Sequence, residues 1–273
     1  MESPSVALVG AGQMGGALVR GWLAAIRLGG GLTLTVLEPD FDPDLEHSLL
    51  SAGAVLNPPE AGPVEVLVLA VKPQQFASAI PGARALMGAD TLVLSIMAGV
   101  TIATLQEALG ARRVVRAMPN MPGQIGQGVT AFVASAGCGE GELQLVHQLL
   151  EPLGLIERLP NERLMDVVTA VAGSGPAYAF LLAEALAAAA EAEGLEADAA
   201  ARIARQTVAG AGALMLASAH PPSHLRKQVT SPGGTTEAAL DVLQAGDGLL
   251  PLLRKAVAAA VQRSRDLGRG AAA

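Results

Sequence analysis

The stretch Val6-Ala7-Leu8-Val9-Gly10-Ala11-Gly12-Gln13-Met14-Gly15 decides how this chain folds. Four apolar residues in succession read as a strand covered on both faces. They run at once into Gly-x-Gly-x-x-Gly, and Gln13–Arg27 then carries a helical pattern. Each glycine meets a steric demand. Gly10 makes the tight turn, Gly12 lets the backbone approach a pyrophosphate, and Gly15 lets helix and strand pack closely. The free N–H groups and positive end of the helix then face the phosphates. A glycine turn alone can be purely structural. With a strand before it and a helix after it, Gly10, Ala11, Gly12, Gln13, Met14 and Gly15 are expected to bind a dinucleotide.

Strand and helix patterns alternate outward from this point. Leu32–Leu37, Glu65–Val71, Leu92–Ile96, Val114–Ala117, Val129–Ala134 and Leu155–Leu159 read as further strands. Asp44–Ser51, Gln74–Met87, Thr101–Leu109 and Glu140–Leu150 read as helices. Such alternation implies an α/β, Rossmann-type, doubly wound and mostly parallel sheet. After Pro160 only helical patterns remain: Glu162–Ala172, Ala177–Glu193, Ala197–Ala217, Thr236–Leu243 and Leu249–Leu267. The expected organisation is a dinucleotide-binding domain over residues 1–160 and an all-helical domain over 161–273.

Ala177–Ala190 is apolar on nearly every side, which calls for burial all round. Five helices make a thin domain, so the same segment of a second subunit is the expected cover and a dimer the expected state. Ala-rich composition from a GC-rich genome would give the same pattern. Glu184 interrupts the stretch, and it is too short to span a bilayer.

Composition narrows the function classes. Hydrophobic residues make up 51% of 273, enough for a sizeable core. The net charge is −7, the basic residues are scattered and aromatics are 2%. This excludes the phosphate-neutralising stripe and stacking rings of a nucleic-acid partner, and it disfavours an anionic membrane surface. The single cysteine, Cys138, allows no internal disulfide and fits a reducing cytoplasm. The N-terminus reads as a strand and lacks the basic region of a signal peptide. His220 and His224 have i, i+4 spacing, but Pro221 and Pro222 lie between them, so no metal pair is expected.

The second strand ends at Glu38, where an acid usually bonds the ribose hydroxyls of NAD. The loop Pro39-Asp40-Phe41-Asp42-Pro43-Asp44 adds three acids and no base. A 2′-phosphate placed about 4 Å from one carboxylate is repelled by ~1 kcal/mol in water and ~4 kcal/mol at an effective dielectric near 20. NADH is therefore the expected cofactor, unless Glu38 faces solvent and an arginine such as Arg20 meets the phosphate.

Ligands of such sheets bind at the carboxyl ends of the strands. Ala70-Val71-Lys72-Pro73, Ser95-Ile96-Met97-Ala98-Gly99 and Arg116-Ala117-Met118-Pro119-Asn120-Met121-Pro122 are the loops expected there. Lys72 could act as a base, though such a lysine is more often a positioning charge. In the helical half, Gly173-Ser174-Gly175-Pro176 opens a helix, with Ser174 as N-cap and Pro176 in the first turn. Thr230-Ser231-Pro232-Gly233-Gly234-Thr235-Thr236 runs into another helix. Its hydroxyls and adjacent glycines exceed what capping needs and suit a carboxylate.

These residues together resemble pyrroline-5-carboxylate reductase over nearly the whole chain. The resemblance rests on Gly10–Gly15, Ala70–Pro73, Ser95 with Ala98-Gly99, Arg116 through Pro122, Gly173–Tyr178, and above all Val229–Thr236 followed by Ala239-Leu240. It implies a Rossmann domain with a helical dimerisation domain, often in larger rings. It also implies reduction of 1-pyrroline-5-carboxylate to L-proline by NAD(P)H. Carried onto this chain, Thr236 holds the ring nitrogen, and Ser231, Gly233, Gly234 and Thr235 receive the carboxylate. Ala70, Val71, Lys72 and Pro73 line the cofactor, and Asn57 touches its adenosine ribose. The chain departs from the family pattern at Lys227 and Ala219, where relatives commonly carry acids, and in the acidic loop after Glu38. The alternatives are a reductase of another cyclic imine or a hydroxyacid, and a non-catalytic nicotinamide-binding regulator. The first helices of the helical half lack the lysine a hydroxyacid enzyme would use.

Overall fold

The computed structural model of the chain describes residues 3–27 and 31–270. Its strands are β1 (Ser5–Val9), β2 (Thr33–Leu37), β3 (Val55–Leu56), β4 (Val66–Leu69), β5 (Leu92–Ser95), β6 (Arg113–Met118), β7 (Gly128–Ala134) and β8 (Gly154–Arg158). They form one sheet in the order β3-β2-β1-β4-β5-β6-β7-β8. Five helices are threaded among them: α1 (Gln13–Arg27), α2 (Pro43–Ser51), α3 (Phe76–Ala85), α4 (Ile102–Leu109) and α5 (Glu140–Leu150).

The unbroken apolar runs are explained by burial on both faces. Val6 and Leu8 of β1 join a core with Leu18 and Trp22 of α1 and Leu149 of α5. Ala7 and Val9 join a second core with Phe76 of α3 and Leu105 of α4. Trp22, the only tryptophan, donates its Nε1–H to Leu149 O at 2.8 Å, so its polar edge is satisfied inside the core.

All neighbouring strands run parallel except β6 and β7. Parallel strands need a crossover of about a dozen residues or more. The link between β6 and β7 is shorter than that and holds only the 3-10 turn Met121–Ile125, so the chain doubles back. The two-residue edge strand β3 carries too little pattern to be foreseen.

The first compact unit runs past Pro160 as far as Gly173 and also includes the segment from Val261 onward. The second is Ser174–Ala260. Within the first unit, Met165 and Ala170 are fully buried. Asn120 Nδ2 donates to Ala172 O at 3.1 Å while its Oδ1 accepts Val129 N–H at 2.9 Å.

Beyond the sheet the helices are α6 (Met165–Val168), α7 (Gly175–Ala192), α8 (Ala197–Ala217), α9 (Pro222–Gln228), α10 (Thr235–Leu243) and α11 (Leu249–Gly270). Two expectations need correction here. Ser174 does not cap a new helix: its backbone is helical (φ −86°, ψ −22°) and its side chain makes no capping bond. A π-helical turn at Thr169–Gly173 joins α6 to α7. Pro176 has no N–H to offer the carbonyl of Ala172 one turn earlier, and that oxygen accepts the Asn120 Nδ2–H at 3.1 Å. The helical run Glu162–Ala192 is consequently 31 residues long, and by length and composition alone it is long and apolar enough to cross a membrane.

Helix α9 was not anticipated either, although a proline at its first position favours initiation. In the second unit α7 packs on α8. No residue of α7 is buried, and Phe180 and Leu181 are more than half exposed. The all-round burial expected for this helix is not provided by the single chain.

Candidate functional site

The carboxyl ends of β1, β2, β4 and β5 open onto a cleft of about 870 Å3. The glycine turn forms its floor. Gly10 sits at φ +95°, and a Cβ there would lie 2.9 Å from the carbonyl of Ala70. A Cβ on Gly15 would collide with Gly10 O, so only glycine lets α1 leave the strand this closely. Gly12 has nothing within 4 Å of where a Cβ would project. Its bareness serves an approach from the cleft and not the packing of the turn. These features fit a dinucleotide, and the volume lies in the usual range for small-molecule sites.

The residues expected at the cofactor assemble here. Gly10, Gly12, Gln13, Met14, Glu38, Asn57, Ala70, Val71, Lys72 and Pro73 line the cleft, and Ala11 and Gly15 complete the turn behind it. The turn after β5 contributes Ile96, Met97 and Ala98, as its sequence led us to expect. The loop after β6 does not line the cleft. Asn120 of this loop is spent on an internal joint, as described, and Arg116, inside β6, is buried and pairs with the partly exposed Glu162. One set of lining residues was missed. Gln75, Ser78, Ala79 and Gly82 form a wall at i, i+3, i+4 and i+7, the spacing of one helix face. The helix itself is legible in the sequence, but which of its faces meets the cleft depends on how it packs on the sheet.

Glu38 is held in place. Its Oε2 accepts the Ala11 N–H at 2.6 Å and its Oε1 accepts the Asp40 N–H at 3.1 Å. The carboxylate therefore lies against the glycine turn and does not swing into solvent. Asn57 binds the Glu38 backbone on both sides, with Oδ1 accepting its N–H at 3.0 Å and Nδ2 donating to its carbonyl at 2.8 Å. Lys72 is exposed and makes no ion pair among the described residues.

The second expected site lies in the Ser174–Ala260 unit. Ser231 to Gly234 close a turn, with Gly234 N–H donating to Ser231 O at 3.0 Å and Gly233 at φ +69°. Gly233 N–H donates to Glu237 Oε2 at 2.7 Å. Helix α10 starts at Thr235 with Gly234 as N-cap. The amides of Gly233 and Gly234 are thus committed within the turn, while helix geometry leaves those of Thr235, Thr236 and Glu237 unpaired at the helix tip. Thr236 is half-buried and Thr235 exposed. Elsewhere in this unit, the rings of His220 and His224 stack with centroids 4.3 Å apart. Among the described residues there is no cluster of three or more metal-ligating side chains.

Comparison with known proteins bears on the same two parts. Residues 162–267 match the family model described as pyrroline-5-carboxylate reductase dimerisation. Residues 5–99 match the model described as NADP oxidoreductase coenzyme F420-dependent. Pyrroline-5-carboxylate reductase of Pseudomonas aeruginosa is 37% identical over 98% of both chains. That of Methanosarcina acetivorans is 33% identical over 98% of this chain and all of its own. The solved structure of a pyrroline-5-carboxylate reductase from Coxiella burnetii superposes with a TM-score of 0.85 at 33% identity, covering 97% of this chain and 99% of that one. A pyrroline carboxylate reductase from Plasmodium falciparum, solved with NADP bound, gives 0.76 at 26% identity over 98% and 99%. With a glycine-turn cleft, a Ser231–Thr236 helix tip and relatives aligned from end to end, the chain belongs to the pyrroline-5-carboxylate reductase family.

Proposed function

We propose that the protein reduces 1-pyrroline-5-carboxylate to L-proline with a nicotinamide cofactor. The observation that carries this is the glycine-turn cleft, on a chain whose curated relatives match it over nearly their whole length. When bound, the nicotinamide supplies a hydride to the ring carbon of the C=N bond. The chain's own residues do the rest. Gly12, Gln13 and Met14 hold the pyrophosphate on backbone N–H groups, while Gly10, whose own N–H donates to Leu37 O at 2.9 Å, makes the turn. Ala70, Val71, Lys72 and Pro73 line the nicotinamide side. Thr235 and Thr236 present amides and hydroxyls at the tip of α10 to the carboxylate, with Ser231, Gly233 and Gly234 shaping the turn. Thr236 holds the ring nitrogen. That nitrogen keeps its proton as its positive charge is quenched, so the atoms balance without an acid beside it. Orientation then supplies most of the acceleration, since the protonated imine is already electrophilic.

Two finer points belong to the same reading. Glu38, fixed against the turn, accepts the ribose hydroxyls and repels a 2′-phosphate, so NADH is preferred. The domain of residues 161–273 forms a homodimer through its apolar helices, with larger rings of dimers built from it, and the enzyme works in the cytoplasm. The family model for 162–267 and the exposed Phe180 and Leu181 support the dimer.

The decisive assay follows NADH and NADPH oxidation with 1-pyrroline-5-carboxylate beside its six-membered homologue. Faster turnover of the five-membered ring is expected. No oxidation with either imine sinks the enzyme assignment, and a strong preference for NADPH sinks the role given to Glu38.

A further inference from the structure

We infer that Asn57 sets the choice of cofactor without needing to touch it, by locking the carboxylate of Glu38 in the cleft. The inference rests on the reading that Glu38 meets the ribose.

Asn57 is the only residue other than glycine with positive φ among the described residues, at +42°. That conformation is costly for most side chains and tolerated by asparagine. It follows directly on β3, and its own N–H donates to Val36 O at 2.9 Å. From there its side chain does what a neighbouring strand would do, one residue beyond the end of β2. Oδ1 takes the Glu38 N–H and Nδ2 reaches the Glu38 carbonyl. With both backbone polar atoms of Glu38 held, its carboxylate is directed to the Ala11 and Asp40 N–H groups. Asparagine alone combines this backbone with one donor and one acceptor at this reach. Aspartate lacks the donor and glycine lacks the amide.

The lock has a consequence for selectivity. A carboxylate held against the turn offers a fixed acceptor to ribose hydroxyls and a fixed negative charge to a 2′-phosphate. Once released, it can turn to solvent and does neither well. Loosening Asn57 therefore moves the two cofactors in opposite directions, which a general loss of packing would not do.

The test compares Asn57→Gly, Asn57→Asp, Glu38→Ala and the double variant Asn57→Gly/Glu38→Ala, with KM for NADH and NADPH measured at saturating 1-pyrroline-5-carboxylate. Glycine keeps the left-handed backbone accessible, so the fold is not at stake. Asn57→Gly is expected to raise KM for NADH by about 5- to 20-fold, the worth of one to two hydrogen bonds, and to lower KM for NADPH, with the effect on KM and not on kcat. Asn57→Asp, which keeps one of the two bonds, should fall between. In the Glu38→Ala background the Asn57 change should be nearly silent, because residues acting as a unit are not additive. If Asn57→Gly raises KM for both cofactors alike, or costs as much without Glu38 as with it, the inference is overturned and Asn57 acts on the ribose directly. If Glu38→Ala itself leaves the NADH-to-NADPH ratio unchanged, the Glu38 reading fails first and takes the inference with it.

Discussion

Arg116 Nη1 lies 2.8 Å from Glu162 Oε1, and the same oxygen accepts the Ile102 N–H at 3.0 Å at the start of α4. One carboxylate thus joins a central strand, a helix N-terminus and the first residue of the segment matching the dimerisation family. The arginine side chain is 7% exposed and the glutamate 30%. This imbalance predicts an asymmetry. Glu162→Ala strands a buried guanidinium and should cost about 2–4 kcal/mol, whereas Arg116→Met leaves a carboxylate that still holds Ile102 and reaches water, and should cost less. Denaturant melts at one fixed protein concentration check this. Equal losses would show that the difference in burial between the two side chains does not set the cost of losing either one.

Gly12 and Gly15 should fail in different ways. A methyl at Gly12 meets nothing in the protein but projects toward the cleft. Gly12→Ala should keep its melting temperature and lose cofactor affinity by ~10-fold or more, as backbone approach to the pyrophosphate is blocked. A methyl at Gly15 collides with Gly10 O, so Gly15→Ala should lose stability and affinity together. Thermal melts beside fluorescence titration with NADH separate the two outcomes.

Thr236 is the residue on which the chemistry should depend most. Thr236→Ala should lower kcat/KM by ~10- to 1000-fold if one oriented hydrogen bond to the ring nitrogen is lost, with NADH binding little changed. Thr236→Ser should recover much of the loss. A rate unchanged in Thr236→Ala removes this hydroxyl from the mechanism.

Thr130 on β7 is 1% exposed, and its Oγ1 has no hydrogen-bond partner among the described residues. Thr130→Val keeps the shape and removes a buried unpaired hydroxyl. Stability should hold or rise by up to about 1 kcal/mol. A clear loss in a chemical melt would mean that the hydroxyl is bonded in solution.

What the sequence by itself determined is what is local. Gly10, Gly12 and Gly15 are read from steric demands within a few residues. The two-sided burial of Val6–Val9 follows from an unbroken apolar run, and the helix tip at Thr235 follows from two glycines and a row of hydroxyls. What only the tertiary structure decided is how distant segments are joined. Arg116 and Glu162 are 46 residues apart, and Glu38 and Asn57 are 19 apart. No pattern within either segment announces its partner. The antiparallel turn from β6 into β7 came from a link too short to cross over. The π turn before Pro176 came from a helix that continued where a cap had been expected. Periodicity and turn chemistry act along the chain, while a hydrogen bond between side chains far apart exists only after the sheet has chosen which strands lie side by side.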